Sequence, residues 1–193
     1  MGIADDKKQL RQDAQLLRMK LACSASNAAS QIAENFFRAI PMAARSVIAG
    51  YVPIRGEADP LPLMNRLRAA GQTLALARVN GKGLPLSFHL WREGVEPVEG
   101  TFVLREAGPD WPLATPQIVL VPLLGFEAQG HRLGYGGGFY DRTLRVLREN
   151  GPVLAVGIAF SGQEMVVPHD ESDERLDWIV TEKFARGFDR LSH

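Results

Sequence analysis

Between residues 5 and 20, apolar side chains recur at near-helical spacing, Leu10, Ala14, Leu17 and Leu21, with charged and amide residues between them. The pattern predicts an amphipathic helix. Ser24 or Ser26 is placed to cap a second helix running to Phe37, which Pro41 ends. The rhythm then changes. Residues 46–51 (SVIAGY) form a short apolar run stopped by Pro53, the mark of a buried strand. Residues 61–70 predict a helix, with Pro60 suited to its first turn and Gly71 as its end signal. Residues 73–79 (TLALARV) are the next strand. A helix between two apolar strands is the βαβ signature of a parallel sheet.

Residues 86–91 read as a further strand. Residues 94–116 hold several prolines and glycines with little periodicity, a long excursion of the kind that covers a site. Order returns with a buried strand at 117–122 (QIVLVP), a helix at 140–149 ended by Asn150-Gly151, a strand at 153–160 (VLAVGIAF) and a short one at 178–181. No repeat interrupts this order. The expectation is one α/β domain over residues 1–193.

Between the strand at 117–122 and the helix at 140–149 lies RLGYGGGFYDR, residues 132–142, with four glycines in five positions. A strand-to-helix connection faces the ligand crevice of an open α/β sheet. Glycines there let backbone N–H groups converge on an anion, and the helix adds its positive end. No GK[ST] follows, so this is not a Walker loop, and Phe139 occupies the third glycine position of the dinucleotide fingerprint. Arg132 ahead and Asp141 behind favour phosphate binding over a bulged turn.

Composition narrows the partners. Lys plus Arg equals Asp plus Glu, 22 each, so no global field draws the chain to nucleic acid or membrane. Five of the basic residues are lysine and seventeen arginine, a bias that suits phosphate clamps but that genomic base composition also produces. Cys23 is the single cysteine, which excludes an intramolecular disulfide and a CxxC redox pair. With no secretory h-region and no run of 18 apolar residues, a cytoplasmic protein is the expectation. A monomer is the default, with a dimer open.

The segment LVPLLGFEAQGHRLGYGGGFYDR resembles the signature of the 5-formyltetrahydrofolate cyclo-ligase (methenyltetrahydrofolate synthetase) family. GYVPIRGEADP, residues 50–60, is similar to that family's strand-and-glutamate segment. GIAFSGQEMVVPHDESDERLDWIVTE, residues 157–182, resembles its C-terminal pattern. The resemblance implies a three-layer α/β/α sandwich with a mainly parallel sheet and an N-terminal helical segment. It also implies conversion of 5-formyltetrahydrofolate to 5,10-methenyltetrahydrofolate with ATP and Mg2+.

By that resemblance Lys7 and Arg11 match a basic pair that contacts ATP phosphates. They sit four apart on one helix face, and by spacing alone they read as a solvated charged face. Arg132, Leu133, Gly134, Tyr135, Gly136, Gly137, Gly138, Phe139 and Tyr140 match the nucleotide loop, whose stretch from Tyr135 to Phe139 also lines the folate site. Catalytic weight falls on Arg132 with Lys7 and Arg11. Asp141 and Asp173 match the magnesium-associated acids. Without the family, Asp141 is as well read as a helix N-terminal acid and Asp173 as a surface residue. Glu57 matches a substrate-binding glutamate, Val52 a folate contact, and Phe102 an aromatic that stacks on the pterin or packs in the core. Phe139 stands where the family has a tyrosine, Pro122-Leu123 where it has Pro-Gly, and Glu106-Ala107 where it has Glu-Pro. The histidines, His89, His131, His169 and His193, do not form a metal cluster by spacing. Two other readings compete: an ATP-independent phosphosugar isomerase or CoA-transferase-like enzyme on a related fold, and a non-catalytic folate- or nucleotide-binding module.

Overall fold

The computed structural model describes residues 3–100 and 105–188. Seven strands form the central sheet in the order β11-β10-β9-β6-β1-β2-β3. Its inner strands are β1 (Val47–Gly50), β2 (Thr73–Arg78), β6 (Ile118–Pro122), β9 (Leu154–Ile158) and β10 (Trp178–Val180). All of these pair in parallel. At the edges, β3 (Ser87–Leu90) and β11 (Ala185–Gly187) run antiparallel to their neighbours.

Side-chain alternation along the strands builds the layers. On one face Ile48, Leu74, Leu76, Ile118, Leu120, Val156 and Ile158 pack against α2 (Ala28–Ala39) and α3 (Leu61–Ala69) through Ile32, Phe36, Leu63, Met64 and Leu67. On the other, Ala49, Ala75, Val119, Val121 and Ala155 receive Leu144 and Tyr140 of α4 (Phe139–Asn150). This is the expected α/β/α arrangement.

The N-terminal helix, α1 (Ile3–Ser24), is the departure from simple amphipathicity. Leu17, expected inward, is exposed, as are Leu16 and Met19. The buried side instead carries Ala14 and Arg18, flanked by half-buried Lys7, Arg11, Leu10 and Leu21. Ala14 packs with Leu124 and Leu133, so α1 lies across the carboxyl ends of the strands and needs polar groups on its inner face. Ser24 does not cap α2. Its hydroxyl donates to the carbonyls of Lys20 and Leu21 and closes α1, while Asn27 stands at the start of α2. Residues 94–116 contain a two-stranded hairpin of β4 (Val98–Glu99) and β5 (Arg105–Glu106). Phe102 lies outside the described residues.

Candidate active site

From β1 the chain moves outward through β2 and β3; from β6 it moves the other way through β9, β10 and β11. The connections leaving β1 and β6 therefore diverge, which opens a crevice at the carboxyl ends of the strands. A cleft of about 730 Å3 lies there. Lys7, Arg11, Val52, Glu57, every residue from Arg132 to Asp141, and Asp173 all line it. Thus every candidate from the sequence other than Phe102 meets in one place.

Glu57 is a buried acid of the cleft. It sits in a turn beyond β1, and its Oε2 accepts the backbone N–H of Ile54 at 2.9 Å. Its Oε1 accepts the Tyr135 hydroxyl at 2.7 Å and lies 3.6 Å from the Arg18 guanidinium. Burial pushes the Glu57 carboxyl above the usual range, while Tyr135, the Ile54 N–H and Arg18 hold it down. Burial and the Glu57 charge also push the phenols of Tyr135 and Tyr140 upward, so both stay neutral donors. Tyr135 thereby ties the glycine stretch directly to Glu57.

That stretch leaves a small antiparallel hairpin of β7 (Gly125–Phe126) and β8 (Arg132–Leu133). Leu133 is buried, so its side chain belongs to the packing beneath the cleft. Gly136 has φ +91° and Gly138 φ +63°, a region that L side chains rarely adopt, and Gly138 opens α4. Arg11 lies over the loop, its Nε donating to the Gly134 carbonyl at 3.1 Å. The Arg142 guanidinium stacks over Phe139 at 5.4 Å, which keeps that ring at the cleft wall.

On the far side, Arg132 donates to Asp141 Oδ1 at 2.6 Å and to the Glu174 carbonyl, and the Glu174 N–H donates to the same Asp141 oxygen at 3.2 Å. The pair clamps the chain around residue 174 and so brings Asp173 to the cleft. There Lys7 Nζ lies 3.4 Å from both Asp170 Oδ2 and Asp173 Oδ2. Hydrogen bonds from Ser172, with Lys7 beside it, depress the Asp170 carboxyl to about 2. Among the described residues, Asp141 Oδ2 and Asp173 Oδ1 make no hydrogen bond, so each acid keeps one oxygen for a cation. Carboxylate oxygens are the donor type that suits Mg2+, which takes few protein ligands and fills its shell with water and phosphate.

Arg18 was not among the sequence candidates. Its side chain is 0% exposed, and it donates to the carbonyls of Leu123 at 3.1 Å and Arg55 at 2.9 Å. The signal existed: at 100° per residue, positions 7, 11, 14 and 18 share one stripe of a helix. Glu106, noted only as a departure from the family pattern, is buried at the cleft edge and accepts the Val79 N–H at 3.1 Å.

The histidines need one correction. Spacing separates His131 from His169, but the fold brings both to Glu127, with potential ligand atoms within 4.8 Å of one another. Their rings stack face to face, 3.5 Å apart and 8° from parallel. In-plane lone pairs on parallel rings do not converge on one ion. His89 is held in the fold by the Trp111 carbonyl at 2.7 Å and the Ser87 hydroxyl at 2.9 Å. His193 lies outside the described residues.

Fold and cleft define a class first: an α/β protein with a ligand cleft at the switch point of its sheet, floored by a buried carboxylate and rimmed by basic side chains. Comparison with known proteins goes further. The chain belongs to the 5-formyltetrahydrofolate cyclo-ligase family, whose model matches residues 3–182. It is 32% identical over 146 residues to the 5-formyltetrahydrofolate cyclo-ligase of Mycolicibacterium smegmatis, covering 70% of this chain and 73% of that one. It is 32% identical over 150 residues to that of Escherichia coli K12, covering 73% and 80%. Among solved structures, the 5,10-methenyltetrahydrofolate synthetase of Aquifex aeolicus superposes with a TM-score of 0.77 at 28% identity, covering 97% of this chain and 96% of that one. The Mycoplasma pneumoniae 5,10-methenyltetrahydrofolate synthetase gives 0.70 at 25% identity, covering 92% and 99%. No described helix is long and apolar enough to cross a membrane.

Proposed function

We propose that this protein converts 5-formyltetrahydrofolate to 5,10-methenyltetrahydrofolate, using ATP and Mg2+ and releasing ADP and phosphate. The observation that carries the reading is that one cleft holds a buried glutamate and a glycine-rich loop at a helix N-terminus, joined by one hydrogen bond, Tyr135 to Glu57. One side suits the N–H donors of a reduced pterin, the other a polyphosphate. A cleft of about 730 Å3 is in the range of small-molecule sites.

The chemistry explains the residue types. An amide-like formyl oxygen is a poor leaving group. When that oxygen attacks the γ-phosphorus, ADP leaves and the oxygen becomes part of a phosphate. N10 then attacks the formyl carbon and gives up its proton to solvent, the C–O bond breaks with its electrons going to phosphate, and the methenyl bridge closes. Such a sequence needs positioning and charge neutralisation more than a protein nucleophile. Lys7, Arg11 and Arg132 supply positive charge, and the bare backbone of residues 134–138 lets phosphate approach N–H groups. Asp141 and Asp173 would hold Mg2+, which neutralises phosphate charge. Glu57 orients the folate ring, with Val52 beside it.

The test is incubation of pure protein with 5-formyltetrahydrofolate carrying oxygen-18 in the formyl group, with and without Mg-ATP. The methenyl chromophore should form only with Mg-ATP, and each turnover should place one heavy oxygen in inorganic phosphate. Turnover without nucleotide would support the isomerase- or transferase-like reading. Binding of both ligands without phosphate release would support a non-catalytic module. Light phosphate at full turnover would refute the phosphorylated intermediate.

A further inference from the structure

Arg18 occupies a place that packing alone does not explain. A fully buried arginine is rare and costly unless its charge is paired. Its guanidinium spans the two connections that open the cleft, taking the carbonyl of Arg55 after β1 and that of Leu123 after β6. It lies 3.6 Å from Glu57 Oε1 and stacks against the Tyr135 ring at 5.3 Å. Side chains from three different parts of the chain, Arg18, Glu57 and Tyr135, thus meet at one carboxylate oxygen's edge.

We infer that Arg18 is the positioning residue for Glu57: from beneath the cleft it fixes the turn that carries this carboxylate and keeps it an anion able to accept the N–H groups of the folate ring. The inference rests on the proposed folate reading for the ligand, and on the geometry alone for the Arg18–Glu57 link. The groups facing Glu57 are Arg18 from α1, Tyr135 from the glycine stretch, Tyr140 from α4, Tyr51 after β1, and Arg55 in its own turn. The three phenols are pushed upward and stay neutral, so the charges opposing Glu57's burial are the two arginines. Of these, Arg18 is the one whose side chain is fully buried. Protonated, Glu57 would present a donor where a ring N–H needs an acceptor.

The experiment follows the Glu57 carboxyl by carbon-13 NMR in ligand-free protein, assigned with Glu57→Gln, and in parallel measures 5-formyltetrahydrofolate affinity against pH. Arg18→Gln keeps donors and removes the charge. The Glu57 midpoint should move upward, the acid limb of folate binding should move with it, and neutral-pH affinity should fall about tenfold or more, the scale of one charge-assisted hydrogen bond. ATP affinity should change far less. Should Arg18→Gln fail to fold, Arg18→Lys carries the test. A single ammonium cannot span both carbonyls and also face Glu57, so the midpoint again rises, by less. A purely structural arginine would lower the melting temperature and leave the Glu57 midpoint where it was, and that result overturns the inference. If the midpoint rises while wild-type protein binds no folate, the Arg18–Glu57 link stands and the folate reading falls.

Discussion

Gly134 and Gly136 separate what the glycines do for the fold from what they do for a ligand. At Gly136, φ is +91°, and an added Cβ would stand 3.2 Å from Arg11 Cζ. Alanine there meets two costs. The left-handed backbone costs a side chain about 1–2 kcal/mol. The guanidinium that donates to the Gly134 carbonyl must also shift by a few tenths of an ångström. At roughly 2–4 °C per kcal/mol for a chain of this size, Gly136→Ala should lower the melting temperature by about 2–8 °C. At Gly134 an added Cβ meets nothing within 4 Å and the backbone is ordinary, so Gly134→Ala should melt like the wild type. If phosphate approaches this backbone, both variants should lose nucleotide affinity, and in Gly134→Ala that loss has no folding contribution. Differential scanning calorimetry reads the first quantity and isothermal titration with ATP and Mg2+ the second. An unchanged melting temperature in Gly136→Ala would refute the backbone argument. Undiminished ATP affinity in both variants would remove the phosphate cradle.

Of two further outcomes, one comes from the rim of the cleft and the other from the stacked histidines outside it. Lys7→Ala and Arg11→Ala should each weaken ATP use more than folate binding, very roughly ten- to a hundredfold for the loss of a charge-assisted bond of about 1.5–3 kcal/mol, and unchanged ATP kinetics in both would leave the pair only its contacts with Asp170, Asp173 and Gly134. His131, whose pKa burial and the stacked His169 depress, gives up a proton on folding, so its contribution to stability is present above the ordinary histidine range and lost as pH falls through that range to its lowered value. Melting temperature should therefore drop on acidification from pH 7 to 5, and His131→Tyr should flatten that drop; an equal slope in the variant would sink the argument.

How much of this was legible in the sequence depends on the distance over which each feature is determined. The βαβ rhythm of residues 46–79 is local, and the structure places helix and strands within a residue or two of the predicted ends. The glycine stretch is equally local, since a strand, bare backbone and a helix follow one another in the chain. The hairpin of β7 and β8 escaped because each of its strands is only two residues long, too short for any period. Arg18 escaped for a different reason: hydropathy reads arginine as outward, and only its pairing with Glu57 and with the carbonyls of residues 55 and 123 makes burial tolerable. Leu17 is the reverse case, an apolar residue turned outward because the helix faces polar strand ends rather than a uniformly apolar layer. The meeting of His131 with His169 depends on tertiary closure across the chain, which no spacing rule contains.

The contact of Lys7 with Asp170 and Asp173 spans 163 and 166 residues of sequence. At about 5–20 residues per second, a ribosome that has made Lys7 needs about 8–30 s more before its acidic partners exist. Through that interval Lys7 has no counterpart on this flank, whereas the partners of Arg18 and Arg11, at residues 55, 57, 123 and 134, appear earlier as the strands arrive piecemeal. Contacts this distant in sequence form late, because loop closure must precede them. The cleft is consequently among the last parts of the molecule to be assembled during translation. A nascent chain stalled before residue 170 can have most of its sheet and still lack one wall of the site. For this protein, ligand binding during synthesis would report completion of the chain rather than formation of the core.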